Sequence, residues 1–104
     1  MESVNFRHSA DIEMVSPEQP PLGMQTHIVR ERDDDIFVEF NFNPPNNVDM
    51  YMYDLNYSGS VFKASGFSTN NKFTLVFREG FHPIALETTF TDGTRRFDTF
   101  NLML

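Results

Sequence analysis

The sequence predicts an antiparallel β-sandwich of about seven strands, and three observations carry that reading. Runs rich in aromatic and β-branched residues recur every 10 to 12 residues from Met24 onward, each bounded by Asn, Asp, Gly or Pro. Within these runs apolar and polar residues alternate, the period of a strand buried on one face. The Asp92-Gly93 dipeptide lies between two such runs, the strongest short-range hairpin signal, and is read as a type I′ turn with positive φ at both central positions. No stretch keeps a helical period over a useful length. A small β-barrel is the alternative, because alternation does not say whether a sheet closes.

Taken in order, residues 1–23 form an N-terminal arm, partly disordered or an added strand. Pro17, Pro20, Pro21 and Gly23 break any regular element at its end, while Val4, Phe6, Ile12 and Met14 fall on alternate positions suited to a sheet. The domain proper covers residues 24–104. Strands are expected near Thr26 to Glu31, Asp35 to Phe42, Val48 to Asp54, Ser60 to Phe67, Lys72 to Arg78, Ile84 to Phe90 and Arg95 to Met103. Arg32-Asp33-Asp34 makes a tight acidic turn, and Asn43-Pro44-Pro45-Asn46-Asn47 forbids helix and ladder alike. Alternation assigns core rows to Ile36, Val38, Phe40 and Phe42; to Phe73, Leu75 and Phe77; to Ile84, Leu86, Thr88 and Phe90; and to Phe100, Leu102 and Leu104. In Val48-Asp49-Met50-Tyr51-Met52-Tyr53-Asp54 both rows are large; Val48, Met50 and Met52 are read as inward, Tyr51 and Tyr53 as outward.

Composition narrows the chemistry. Twelve Phe and three Tyr with six Met, no Trp and no Cys describe a core of planar rings and soft filler without covalent staples. Lack of Cys excludes a disulfide framework, a zinc ribbon, an iron–sulfur site and a thiol nucleophile. A net charge of −7 argues against nucleic-acid phosphates and anionic membrane surfaces, both of which call for clustered Lys and Arg. The acidity is uneven: residues 1–35 hold eight carboxylates against three arginines. No apolar run approaches a membrane span, and the first residues lack the pattern of a signal peptide, so a cytoplasmic protein and a mature secreted domain both fit.

No catalytic constellation stands out. His8, His27 and His82 lack the spacing that sets two imidazoles on one metal, and neither a nucleophile elbow nor a phosphate loop is present. The chain is read as no enzyme, with no cofactor and no metal. Asp33-Asp34-Asp35 has the oxygens of a calcium site but not the spacing of a calcium loop, and reads as a solvated turn. Asn56-Tyr57-Ser58 is formally a glycosylation sequon. Arg95-Arg96 with Lys72 and Arg78 reads either as a small basic spot or as charges guarding an edge strand. The candidate binding face is Phe37, Tyr51 and Tyr53, large rings expected on the outward side of two adjacent strands.

The string Val48 to Phe62, with Asp54, Gly59, Val61 and Phe62, resembles a hairpin common in small immunoglobulin-like domains of Bacteroidetes secreted proteins. These include a family of domains of unknown function and the type IX secretion sorting domains. Ile36 to Phe42, Phe73 to Val76 and the Asp92-Gly93 hairpin sit where those families place neighbouring elements, so the resemblance spans about residues 24–104. The Asp54 to Gly59 interval is longer than the family turn, and the N-terminal arm is unlike a sorting-domain linker. What the resemblance implies is an immunoglobulin-like or fibronectin-like sandwich, extracytoplasmic or secreted, with a non-catalytic role in binding a protein or surface glycan or in assembly. Two alternatives stay open. One is a small enzyme inhibitor using the loops Asn43 to Asn47 and Ser68 to Asn71; the other is self-association by strand exchange through an edge strand.

Overall fold

The alternating rows build eight antiparallel strands. In the computed structural model, which describes residues 6–17, 19–21, 23–45 and 50–104 (for Met50 and Tyr51 the backbone only), they are β1 (Asp11–Ser16), β2 (Met24–Arg32), β3 (Asp35–Phe42), β4 (Met50–Tyr57), β5 (Ser60–Ala64), β6 (Lys72–Phe77), β7 (Phe81–Phe90) and β8 (Arg95–Met103). They form two separate sheets rather than a barrel: five strands in the order β1-β8-β7-β4-β5, and three in the order β2-β3-β6. The expected rows meet between them, with Ile36, Val38, Phe40, Phe42, Leu75, Phe77, Ile84, Leu86, Phe100 and Leu102 all buried. Burial of such side chains contributes roughly 1.5–3 kcal/mol each. Ring contacts join the layers. Phe42 stacks on Tyr53 at 4.1 Å, Phe62 on Phe73 at 5.8 Å, and Tyr57 meets Phe77 edge-on at 4.9 Å.

The arm supplies an added strand: β1 pairs with β8 from Asp11↔Met103 to Ser16↔Thr99, and Phe6, Ala10, Ile12 and Met14 pack against the core. β8 therefore runs between β1 and β7 only from Thr99 to Met103; its first residues, Arg95 to Asp98, pair with β7 alone, so Arg95 and Arg96 stand on a stretch of edge that β1 does not cover. Lys72 and Arg78 belong with the other sheet, so the four cations do not make one basic spot.

Turn chemistry differs from expectation in an instructive way. At Asp92-Gly93 only Gly93 has positive φ (88°); Gly93 N–H donates to the Phe90 carbonyl and Phe90 N–H to the Thr94 carbonyl. This is a three-residue loop, in which a tight turn is followed by glycine in the left-handed region, and not type I′. Asp92 Oδ1 accepts from Thr94 N–H (2.9 Å) and Thr94 Oγ1 (2.6 Å), and these bonds hold its carboxyl below the usual range. The two-residue loop with positive φ at both positions is instead Ser58-Gly59, at 52° and 82°, between the paired Tyr57 and Ser60. The residues from Asp54 to Tyr57, expected to turn, therefore continue β4, and Leu55 enters the core.

Candidate functional site

The three residues of the sequence-derived face do not share a surface. Phe37 lies in β3 of the three-stranded sheet, half-buried on its outer side under the Arg30 guanidinium, 5.5 Å from the ring centre. Tyr53 lies in β4 of the other sheet and is 0% exposed; its ring points into the sandwich, and burial pushes its phenol up to about 12. The backbone of Tyr51 belongs to β4, while its side chain lies outside the described residues, as do Asn46, Asn47, Val48 and Asp49. The cause of the reversed face is a bulge between Met50 and Met52 in the β4–β7 ladder. One extra residue flips every side chain beyond it, so Met52 is exposed and Tyr53 is core.

Exposed apolar surface gathers on the outer face of the five-stranded sheet. Val15, Met52, Val61, Phe81 and Phe97 stand there, five of the eight large apolar side chains that are exposed among the described residues. The outward rows of β7 and β8 set Ala85 opposite Thr99 and Pro83 opposite Asn101. Small side chains at the centre leave a groove of about 380 Å³, bordered by Val15, Asn56, Pro83, Thr99 and Asn101. Phe81 (69% exposed) and Phe97 (64%) rise toward its two ends. Phe97 faces Glu87, six positions along β7 from Phe81, a span of ~20 Å at the strand rise. Two ion pairs stand on this face, Arg95 Nε with Glu87 Oε1 at 3.4 Å and Lys63 Nζ with Asp54 Oδ1 at 3.0 Å, while Asp11 and Glu13 on β1 add carboxylates that meet no cation among the described residues, Glu13 Oε1 accepting instead from Asn101 Nδ2 at the groove's border.

One end of the sandwich carries the titratable cluster. Glu31, at the end of β2, accepts backbone N–H bonds from His8 (2.9 Å) and Arg7 (3.1 Å), and side-chain bonds from His8 Nδ1 (3.1 Å) and Arg7 Nε (3.2 Å). His8 Nε2 reaches Glu79 Oε2 at 2.9 Å, and Arg7 Nη2 donates to the Asp33 carbonyl at 2.7 Å. Partial burial opposes ionisation of Glu31, but the four bonds outweigh it and hold the carboxyl down at about 2. His8 is raised, first by Glu79 and then by Glu31. The cluster ties the start of the arm to the three-stranded sheet and to the β6–β7 loop.

Its pH dependence follows from those directions. The His8 contribution is complete below 6.5 and is lost as pH rises through its raised value; that of Glu31 is complete above 4.5 and is lost as pH falls toward 2. Hydrogen exchange of β1 amides should therefore be slowest between about pH 4.5 and 6.5, after correction for intrinsic rates. His8→Ala should remove the loss on the alkaline side. A β1 profile unchanged by that substitution would show that the cluster does not hold the arm.

His82 is structural rather than available: Nδ1 contacts Tyr57 Oη at 3.1 Å, Nε2 contacts the Arg78 carbonyl, and its ring lies 4.9 Å from Phe77. Among the described residues no three His, Asp or Glu are disposed to hold a metal ion. Sequence reasoning passed over Phe81 and Phe97. Phe97 was detectable, since it falls on the opposite parity from Phe100, Leu102 and Leu104 and so belongs to the polar row. Phe81 is hidden because the pattern starts the strand only at Ile84, after Pro83. Comparison of the chain with protein-family models, with curated proteins and with solved structures returns no match.

Proposed function

We propose that this chain is a non-catalytic protein-binding module of immunoglobulin-like or fibronectin-like plan, engaging its partner through the outer face of the five-stranded sheet. The observation that carries the reading is that Val15, Met52, Val61, Phe81 and Phe97 all stand exposed on that one face, with Val15 bordering the Ala85 groove. Exposed apolar side chains gathered on one face mark interaction sites. Strand order supports the plan: β2-β3-β6 faces β8-β7-β4-β5 as three strands against four, with β5 paired to β4 instead of β6, and β1 is an addition. Because β1 is consumed by β8 of its own chain, strand exchange through the arm is less favoured than face-to-face docking.

Phe81→Ser with Phe97→Ser should abolish retention of a specific partner from extracts of the native source while changing unfolding free energy by less than about 1 kcal/mol. Val29→Ser, on the other sheet, should leave retention intact, and the purified partner should titrate to one site. Equal retention by all three proteins would reject the face. Binding confined to immobilised glycans would replace the protein partner with a saccharide.

A further inference from the structure

Each sheet leaves two strands without an outer neighbour: β1 and β5 in one, β2 and β6 in the other. Three of these edges carry a feature that discourages another chain from pairing. β1 bulges between Met14 and Ser16, β2 between Ile28 and Arg30, and β5 has five residues with Lys63 among them. Bulges, brevity and charge are the usual means of blunting an edge. At six residues β6 is hardly longer than β5, but it has no bulge, and its one charge, Lys72, stands at its first residue rather than inside it. Its register against β3 runs unbroken from Ile36↔Phe77 to Asn41↔Lys72. Leu75 and Phe77 are buried, and Phe73 stacks on Phe40 at 5.6 Å and on Phe62 at 5.8 Å, which anchors the strand from within. Among the described residues, its other side holds a row of backbone groups with no ladder partner.

Charge adds direction. Among the described residues Arg7, Lys63, Arg95 and Arg96 each hold a carboxylate, and Arg30 covers the Phe37 ring. Lys72, Arg78 and Arg32 hold none, although Asp34 and Glu79 line the same hollow as Arg78. Two of these three cations bracket β6 on its outward row, Lys72, Thr74, Val76 and Arg78, all of them exposed, with Val76 at 49%. In a chain of net charge −7, this edge is a local positive frame. A second copy fits it poorly. Twofold antiparallel pairing centred on Leu75 would set Lys72 opposite Arg78 of the second copy, twice over, and like charges directly opposite are destabilising.

We propose that the free edge of β6 is a strand-addition site for an extended segment of another protein, with acidic residues facing Lys72 and Arg78 and apolar β-formers beside Val76 and Thr74. Backbone bonds supply the attachment, and the two cations select the partner. The site lies on the opposite sheet from the Ala85 groove and stands or falls independently of it.

The probe is the capped peptide Glu-Thr-Ile-Thr-Ile-Thr-Glu, compared with Lys-Thr-Ile-Thr-Ile-Thr-Lys, titrated at low salt into isotopically labelled full-length protein. The acidic peptide should shift β6 resonances and slow exchange of every second β6 amide, with about a tenfold preference over the basic one from two cross-strand ion pairs. Lys72→Glu with Arg78→Glu should invert the preference, and Lys72→Gln with Arg78→Gln should erase it; both changes are at exposed positions, and thermal melts check folding. Equal binding of the two peptides, shifts centred on Phe81 and Phe97, or absence of binding at millimolar peptide would each overturn the proposal.

Discussion

Tyr53→Ser is expected to cost about 3–5 kcal/mol of unfolding free energy in urea denaturation, a large share of the stability of a domain whose total is on the order of 5–15 kcal/mol. The ring is 0% exposed and stacks on Phe42 at 4.1 Å, so its removal opens a hole at the contact between the two sheets. Phe42, Phe40 and Phe73 cannot close it without leaving their own ring contacts, because interiors relax only partly around a cavity. Tyr53→Phe keeps the ring and should cost about 1 kcal/mol. The raised phenol adds an alkaline signature. Its contribution is whole below pH 10 and disappears as pH climbs toward about 12, where the unfolded chain ionises and the folded one does not. An unchanged melting temperature for Tyr53→Ser would place the ring outside the core.

Arg96→Met is expected to destabilise the fold by about 3 kcal/mol at neutral pH, more than any other substitution of a half-exposed charge, because it strands a buried carboxylate. Asp98 projects inward from β8 with its side chain 0% exposed, and Arg96 meets its Oδ1 from Nε at 3.0 Å and Nη2 at 2.9 Å. Arg96 also donates to the Gln19 carbonyl at 2.7 Å, which fastens the proline-rich segment over that end of the sandwich. Among the described residues Asp98 Oδ2 and Thr88 Oγ1 are buried without a hydrogen-bond partner, so the spot already carries a desolvation cost. Replacing both charges, Arg96→Met with Asp98→Leu, should therefore cost far less than the single change. A double-mutant cycle by urea titration measures this, and additive losses would show that the pair is not coupled.

Much of the architecture was legible from residue alternation. β3 and β8 fall where the pattern puts them, and the rows through Phe40, Phe73, Leu86 and Phe100 point inward as read, because the opposite parity is mostly small or polar, with Phe37 and Phe97 the large exceptions. β4 failed for lack of that contrast: both of its rows are large, and a single bulge decides which one is buried. β7 begins three residues earlier than expected because Pro83 is tolerated where the β4 ladder has already ended, at Asn56↔Ala85. The candidate face inherited both errors. Adjacency in sequence suggested that β3 and β4 were neighbours, whereas the chain crosses between sheets there, and no local pattern records a crossover. Lys72 and Arg78 were visible as charges but not as unpaired ones, since pairing is decided by strands distant in sequence.

The antiparallel match of β1 with β8 has a mechanical consequence. Asp11 lies opposite Met103, so both strands lead out of the fold at the same end. Tension along the two exits would pull the ladder apart one rung at a time instead of shearing all rungs together. Such a zipper yields at low force, and the resistance met first would come from Arg7 and His8 gripping Glu31 and Glu79. Under stretch, the four side chains at the sandwich end, more than the length of the sheet, would set when the first strand peels away.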